Sequence, residues 1–506
     1  MSGAPVTPGA ILMAVGSRRS FAFWPVVAVS AVVLSALLFG AGGYGYHRDE
    51  LYFIEAGRHP AFGYDDQPPL TPLIGRASAA LFGETVTGLR VLSALAFALC
   101  VVLAALIARE LGGGWRAQVF AAAALAVSSA LFLGHLLSTS TFDYLAWTLI
   151  LFLVARLLRT ADRRLWPPLG LAVGIALENK WLVLLLVAAL AVGIVAAGRT
   201  ELLRSPWFLG GMLLALALWA PNLAWQADHG WPQRELSGQI AGEDPLGVRL
   251  KFVPFQLLIV SPLLAFFWIR GLVWLLRDET ARPFRALGLG YLALVVICLL
   301  SGAKEYYAVG WYPALVAAGG VALERWLAPL RGRLLAASAV VVSAAVSAVI
   351  ALPVVPERSL AGSPIIGLNS DVAETVRWPR FVSTVARVWR SLPPGERRRA
   401  VIFTANYGEA GAIARFGPRR GLPRPYSGHN SYASFGRPPG RAGPVIAVGF
   451  DDRSYLARFF VGCRVAARYD NGLELDQEEQ GAPISVCRAP RRPWRSMWEQ
   501  LHHLDA

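Results

Sequence analysis

Long apolar runs, most of them close to twenty residues, recur between residues 21 and 352 and constrain the fold strongly. A helix needs about 20 apolar residues to cross the hydrocarbon core of a bilayer. Charged residues make up 16% of the chain, below the roughly 25% typical of soluble proteins. We therefore predict a polytopic α-helical membrane protein. Its eleven predicted transmembrane helices lie at 21–40, 88–108, 116–136, 142–158, 165–178, 180–198, 206–225, 249–272, 285–301, 308–326 and 333–352.

The positions of the arginines predict how the chain is oriented. Arg18 and Arg19 precede the first run, which lacks a small-residue cleavage site and is expected to remain as a helix. Because cytoplasmic loops are enriched in Lys and Arg, the N-terminus is predicted to be cytoplasmic. On that basis, five cytoplasmic loops each carry two or more Arg: 109–116, 156–164, 199–204, 277–285 and 325–333. These loops hold much of the positive charge behind the net +15, and no basic stripe with interleaved aromatics suggests a nucleic-acid partner.

With eleven spans, residues 353–506 are predicted to form a soluble domain outside the cytoplasm, beyond a membrane domain at 1–352. Short apolar strands at 400–404 and 445–448, with a strand, turn and helix pattern after the first, are typical of a small α/β domain. Cys463 and Cys487 both lie in this tail, where an oxidising compartment favours a disulfide. Two unpaired buried thiols are the alternative.

A polar segment at 43–87 separates the first two apolar runs and is predicted to be the first outer loop. It carries four acids, Asp49, Glu50, Asp65 and Asp66, interleaved with aromatic residues and followed by Pro-Pro-Leu. Further ionisable and aromatic residues are predicted at the same face: Asp143, Glu178, Lys180, Asp228, His229, Lys251, Lys304, Glu305, Tyr306 and Tyr307. Charge at membrane depth is costly and usually functional. Solvation in a loop remains the alternative for Asp228 and His229, as does lysine snorkelling for the helix-end lysines.

Such a set suits the transfer of a sugar from a lipid phosphate to a hydroxyl. A carboxylate would take the acceptor proton, and cations would stabilise the departing phosphate. Asp49 or Glu50 is the candidate base, although a structural salt bridge from Asp49 to Arg48 or Arg58 is the alternative. Lys180, Lys304 and Arg48 are the candidate phosphate contacts, with Lys251 an interfacial anchor. The candidate residues for the wall of a sugar pocket are Tyr52, Trp181, Tyr306, Tyr307 and Trp311.

Several motifs carry a family resemblance: RDELYF, DDQPPL, STSTFDYLAW, ENKW, KEYYAVGWYPAL, TANYGEAGAI and SGHNSY. Together they resemble the GT-C glycosyltransferases, and more narrowly the bacterial glycosyltransferase family 39 proteins related to protein O-mannosyltransferases and to the aminoarabinose transferase of lipid A. The resemblance implies a polyprenyl-phosphate sugar donor, transfer with inversion, a catalytic base at Asp49 and a second acidic position at Asp143. Gln67 departs from the family pattern, which usually has Lys before Pro-Pro-Leu.

The predicted site therefore has two groups of residues. The catalytic group is Asp49, Glu50 and Asp143. The substrate-binding group is Arg48, Tyr52, Asp65, Asp66, Gln67, Glu178, Lys180, Lys304, Tyr306 and Tyr307. A divalent metal at Asp49, Glu50 and Asp143 is left open, because no histidine-rich ligand set supports one.

The transferred sugar is expected to be of the mannose or arabinose type, and the acceptor to be a lipid, a glycan or a protein. Transfer of an assembled glycan is a variant of the same reaction. Two other classes of protein stay open. One is a membrane transporter, although transporters usually place polar groups near the bilayer midplane. The other is a non-catalytic envelope module.

Overall fold

The structure of the protein is a computed structural model that describes residues 19–242 and 245–505. Helices dominate the described residues up to 351. In chain order they are α1 (Phe23–Gly40), α2 (Arg48–Arg58), α3 (Leu70–Phe82), α4 (Val86–Glu110), α5 (Trp115–Ala126), α6 (Leu131–His135), α7 (Thr139–Thr160), α8 (Trp166–Leu177), α9 (Val183–Ala196), α10 (Pro206–Asp228), α11 (Pro232–Gly242), α12 (Pro245–Leu258), α13 (Pro262–Arg277), α14 (Arg285–Ser301), α15 (Tyr312–Ala322) and α16 (Leu330–Ala351).

Each of the eleven predicted runs overlaps at least one of these helices, and the predicted helical membrane fold is confirmed. Six helices of the described chain are long and apolar enough to cross a membrane, or seven if one bent pair is counted as a span. The runs at 116–136, 165–178, 180–198 and 308–326 form helices of 12, 12, 14 and 11 residues. The number of eleven crossings therefore stays a prediction.

Two predicted segments differ from the structure. The single helix predicted at 249–272 is wrong, because residues 249–258 and Pro262–Arg277 meet at 99°. Pro262 has no N–H for a continuing helix, and Ser261 before it has a φ of 156°. The segment at 43–87 is largely helical rather than a plain loop, since it contains α2 and α3.

The tail has the predicted α/β organisation. It contains α17 (Pro364–Leu368), α18 (Trp378–Arg390), α19 (Pro394–Arg397), β1 (Val401–Thr404), α20 (Tyr407–Phe416), β2 (Pro425–Ser427), β3 (Val445–Val448), α21 (Arg453–Phe459), β4 (Phe460–Val461), β5 (Arg464–Arg468), β6 (Pro483–Cys487), β7 (Ala489–Pro490) and α22 (Trp494–Leu501). A five-stranded sheet has the order β2-β1-β3-β6-β5, while β4 and β7 pair separately. β1, β2 and β3 are parallel, and β6 pairs antiparallel with both β3 and β5. A disulfide joins Cys463 to Cys487 at the end of β6.

The tail packs directly on the segment between the first two predicted spans. Leu51 and Phe53 of α2 share one buried apolar cluster with Ala410 and Ile413 of α20. A Cβ atom on Gly411 would lie 2.9 Å from Leu51, so the two helices approach too closely for a larger residue. The domain boundary at 352 stays a prediction, because this core crosses it.

Candidate active site

Asp49 lies in the first turn of α2, which a capping box holds in place. The His47 side chain accepts a hydrogen bond from the Asp49 backbone N–H at 3.2 Å, and Glu50 accepts one from the His47 N–H at 2.8 Å. The Asp49 side chain is 36% exposed. A negative charge at this end of a helix is favoured by the helix dipole. The sequence therefore presents an accessible carboxylate on a rigid support.

Tyr407, in the first turn of α20, orients that carboxylate from the tail. Its hydroxyl donates a hydrogen bond to Asp49 Oδ1 at 2.9 Å. Its ring stacks on Tyr52 and on His429, with centroids 4.7 Å apart in both cases. Burial and then the charge of Asp49 raise the pKa of Tyr407 well above its usual value, so the hydroxyl keeps its proton. Sequence reasoning did not assign Tyr407 to the site, although it lies within the TANYGEAGAI motif.

Lys180 lies in the turn between α8 and α9 and belongs to the same electrostatic environment. Its Nζ donates to Ser140 Oγ at 3.2 Å and lies 5.7 Å from the centroid of the Tyr307 ring. Burial lowers the pKa of Lys180, and the charges of Asp143, Lys304 and Asp49 also act on it. The structure thus places Lys180 in electrostatic range of Lys304 and of two predicted acids, Asp49 and Asp143.

The third lysine differs from the other two in its surroundings. Lys251 is exposed on α12, whereas Lys180 and Lys304 are both partly buried. Lys304 immediately precedes a 3₁₀ segment, Glu305–Trp311. Tyr306 and Tyr307 follow in that segment with their rings in edge contact at 5.1 Å. The two partly buried lysines therefore sit beside aromatic residues, as the sequence suggested.

Asp143 is buried near the start of α7. Its Oδ1 accepts a hydrogen bond from Trp147 Nε1 at 3.1 Å. Nearby, Asn179 ties three elements together, because it accepts from Thr71 Oγ1 at 2.6 Å and donates to the Thr139 carbonyl at 2.8 Å. This network fixes the turn that carries Lys180.

Glu50, predicted as a catalytic residue, is fully buried in a structural network. Arg90 binds it in a bidentate manner, with Nε–Oε1 at 2.8 Å and Nη2–Oε2 at 2.7 Å. The backbone N–H groups of His47 and Leu137 also donate to its carboxylate. Because both oxygens are engaged, Glu50 positions α2 in this structure and has no oxygen left for a substrate.

Several residues that were predicted to contact the substrate contact the tail in this structure. Arg48 forms an ion pair with Glu478 and lies 5.2 Å from the centroid of the Tyr407 ring. Asp65 Oδ2 lies 3.1 Å from His502 Nε2. These contacts join the first outer segment to residues 353–506.

Asp66 and Tyr52 form a hydrogen-bonded pair beneath Tyr407. The Tyr52 hydroxyl donates to Asp66 Oδ1 at 2.6 Å. Burial raises the pKa of Asp66 to about 7. Tyr52 is fully buried, as is Trp311, so in this structure neither side chain is exposed to a sugar.

The remaining predicted residues have polar atoms for which the described chain offers no partner. Gln67 is buried with no acceptor for its Nε2, and Glu178 Oε1 is buried with no donor. Both flank a backbone hydrogen bond from Leu70 N–H to the Glu178 carbonyl at 2.8 Å. Across residues 19–242 and 245–505, no group of three His, Cys, Asp or Glu side chains is arranged to hold a metal ion.

An exposed carboxylate on a short helix of a helical membrane protein, within electrostatic range of Lys180, suits group transfer from a phosphate. The fold and this arrangement define a membrane-embedded transferase. Comparisons with known proteins identify the class more closely.

Residues 66–225 match the family described as dolichyl-phosphate-mannose-protein mannosyltransferase. The structure is similar to the crystal structure of ArnT from Cupriavidus metallidurans bound to undecaprenyl phosphate, with a TM-score of 0.60 and 18% identity over 91% of this chain and 97% of that one. ArnT in the apo state gives a TM-score of 0.57 and 17% identity over the same shares of the two chains. A search of curated proteins found no match. The predicted fold is confirmed: the chain has the GT-C fold, and residues 66–225 resemble a family of membrane glycosyltransferases.

Proposed function

We propose that the protein transfers one sugar from a polyprenyl-phosphate donor to an acceptor hydroxyl at the outer face of the membrane, with inversion at the anomeric carbon. The observation that carries this proposal is the Asp49 carboxylate, exposed on one side and held by the Tyr407 hydroxyl at 2.9 Å. The undecaprenyl phosphate bound by ArnT and the dolichyl-phosphate named for the matching family support a lipid-phosphate donor. The sugar is of the mannose or arabinose type.

In this mechanism Asp49 acts as general base. Its carboxylate takes the proton from the acceptor hydroxyl as that oxygen attacks the anomeric carbon. The bond between the anomeric carbon and the phosphate oxygen breaks, and its electron pair leaves with the polyprenyl phosphate. Tyr407 holds Oδ1, which leaves Oδ2 to receive the proton.

Lys180 and Lys304 stabilise the phosphate as it departs. An ammonium is a compact point charge that can follow a phosphate whose charge increases during bond cleavage, whereas Arg favours a fixed bidentate geometry. Asp143 acts through Lys180, since its charge opposes the lowering of the Lys180 pKa by burial. Tyr306, 39% exposed, and Tyr307 line the side of the site nearest the lysines.

The proposal includes a topology in which the N-terminus is cytoplasmic and residues 353–506 are extracytoplasmic. The arginine-rich loops support it through the positive-inside rule. The disulfide between Cys463 and Cys487 also supports it, because such bonds persist in oxidising compartments. The active site then faces the compartment in which the lipid-linked donor presents its sugar.

The test is Asp49→Asn, which keeps the side-chain shape and removes the base. Purified variant and wild type are compared with undecaprenyl-phosphate-linked mannose and arabinose donors, and turnover is expected to fall by about 10² or more. Asp228→Asn, at the exposed end of α10, is the matched control and should retain wild-type turnover. Near-normal transfer by Asp49→Asn would remove the base assignment, and no transfer of any lipid-linked sugar by wild type would remove the proposed function.

A further inference from the structure

A cavity of about 470 Å³ lies where the tail meets α2, lined in part by Tyr407, whose hydroxyl binds Asp49. Its volume is within the range of about 300–1,000 Å³ typical of small-molecule sites. It opens at the carboxyl ends of the three parallel strands, where Ala405 follows β1, His429 follows β2 and Gly449 follows β3. In open α/β sheets, ligands bind at this edge, at the point where the strand order reverses. Here the order β2-β1-β3 reverses at β1.

One buried side chain in this cavity indicates a ligand independently of the fold. Glu479 is 1% exposed, and apart from the neighbouring Glu374 carboxyl no side chain within the described residues hydrogen-bonds to its carboxylate oxygens. Its neighbours in charge are Glu374, Arg48 and Glu409, so the protein surrounds it mainly with other acids. Leaving a buried polar group without a hydrogen-bond partner destabilises the folded protein. Groups of this kind call for an explanation, and a bound ligand supplies one.

The hydrogen-bonding groups of the cavity include both acceptors and donors. Glu479 offers acceptor oxygens, while the Nε–H of Arg48 is buried without an acceptor among the described residues. A hydroxyl both donates and accepts, so a molecule with several hydroxyls can satisfy both side chains. A simple cation would satisfy only the carboxylate.

The charge of the lining excludes anionic ligands. The cavity is lined by a single guanidinium, that of Arg48, and by five acids: Glu409, Asp451, Glu478, Glu479 and Asp505. A phosphate would be repelled here, which separates this cavity from the lysines proposed to hold the donor. Since a cation would leave the Arg48 Nε–H without an acceptor, we take the ligand to be neutral.

A stack of flat rings forms part of the wall. The His429 and His503 rings are parallel within 7° with centroids 5.1 Å apart, and Tyr407 stacks on His429 at 4.7 Å. His429 stays uncharged, because burial lowers its pKa to about 3. Flat uncharged rings next to hydrogen-bonding groups suit the apolar face and hydroxyl edge of a sugar ring.

We infer that this cavity binds a neutral saccharide unit of the acceptor and guides a neighbouring hydroxyl to Asp49. The inference rests on the proposed function for the reaction itself, and it adds the chemical class of the acceptor. Tyr407 links the two sites, since its ring lines the cavity and its hydroxyl binds the Asp49 carboxylate. The tail is thus an acceptor-binding domain.

The experiment measures binding separately from transfer. Saturation-transfer NMR on the purified full-length protein in nanodiscs uses methyl glucoside, methyl galactoside and methyl mannoside, with glucosamine and glucose 1-phosphate as the cationic and anionic probes. At least one neutral glycoside is expected to bind, more tightly than either charged probe. Glu479→Leu and His503→Ala are each expected to weaken that binding about tenfold or more, because each removes a direct contact.

Two variants control for folding and for general surface effects. Glu479→Gln keeps a donor and an acceptor and should bind within about threefold of wild type, since its hydrogen bonds are retained. Glu396→Leu, an exposed change on α19, should match wild type. His503 is exposed, so His503→Ala reports on the site even if Glu479→Leu is unstable.

The inference is overturned if no neutral glycoside binds, if only a charged probe binds, or if Glu479→Leu and His503→Ala bind like wild type. Its failure is distinguishable from failure of the proposed function. Wild-type protein that transfers sugar but fails these binding tests loses only the acceptor site, and protein that binds glycosides through Glu479 but transfers nothing loses only the reaction.

Discussion

The three lysines provide a direct test of where the donor phosphate lies. Lys180 and Lys304 are partly buried, and their charges act on each other, while Lys251 is exposed on α12. Each is replaced by Met, which keeps the length and removes the charge. Because nearly all other positive charges in the chain are Arg, the three Lys replacements form a matched series.

The expected magnitudes follow from their surroundings. A hydrogen bond to a charged group contributes about 1.5–3 kcal/mol. At about 1.4 kcal/mol per factor of ten, Lys180→Met and Lys304→Met should each raise the donor KM or lower kcat/KM about 10- to 150-fold. Lys251→Met should change either value by less than about threefold, since exposed charges contribute little.

The Lys180 variant needs one further comparison, because Lys180 also balances Asp143. Removing only the lysine leaves a buried carboxylate without its cation, which is destabilising by itself. The double variant Lys180→Met/Asp143→Asn is neutral at both positions. A loss of donor use that persists in the double variant marks a phosphate contact, whereas recovery to wild-type behaviour marks a structural pair.

The assay measures sugar transfer against donor concentration for each purified variant, with thermal unfolding to confirm folding. The reasoning predicts two impaired curves and one normal curve. Three indistinguishable, near-wild-type curves would show that the lysines only anchor helices at the interface, and equal impairment of Lys251→Met would refute the distinction drawn from burial.

Three further expectations concern the tail, the buried acids and the topology. Tyr407→Phe keeps the ring stack but removes the hydrogen bond to Asp49, so kcat should fall about tenfold or more with donor KM little changed; an unaltered kcat would exclude a positioning role. The pKa of Asp66 is raised to about 7, so the folded state binds the extra proton and stability present at acid pH is lost as pH rises through about 7. Asp66→Asn should therefore flatten the fall in Tm between pH 5 and 8, and an unchanged slope would contradict this. A membrane-impermeant thiol reagent should label a cysteine introduced at Gly440 and spare one at Asp162; the reverse pattern would overturn the orientation.

The helical membrane fold was predictable because a helix that crosses the lipid needs about twenty consecutive apolar residues. Apolar runs near twenty residues identify candidate spans wherever one continuous helix is long enough to cross, as α4 and α7 are. The rule fails where helices are short or bent. The apolar pattern continues through Pro262, yet the helix direction changes by 99° there. Hydropathy does not predict this bend, because it does not reflect that proline lacks a backbone N–H.

The connection between Tyr407 and Asp49 was beyond sequence reasoning, because the two residues are 358 positions apart. Nothing in the local pattern of either segment determines that α20 lies on α2. That contact depends on close packing at Gly411 against Leu51, and thus on the assembled tail. The first-segment acid and the two lysines could be proposed from the sequence as candidates, but the part of the candidate site contributed by the tail required the fold.

The different roles of Asp49 and Glu50 follow from helix geometry once α2 is recognised as a helix. Adjacent residues on an α-helix point about 100° apart, so neighbouring acids cannot both face one site. Glu50 turns into the core, where Arg90 neutralises it, and Asp49 turns outward with 36% of its side chain exposed. Treating the segment as a loop hid this difference. The buried ion pair gives the exposed acid its rigid support, since removing Arg90 would leave a buried charge without a partner and release the first turn of α2.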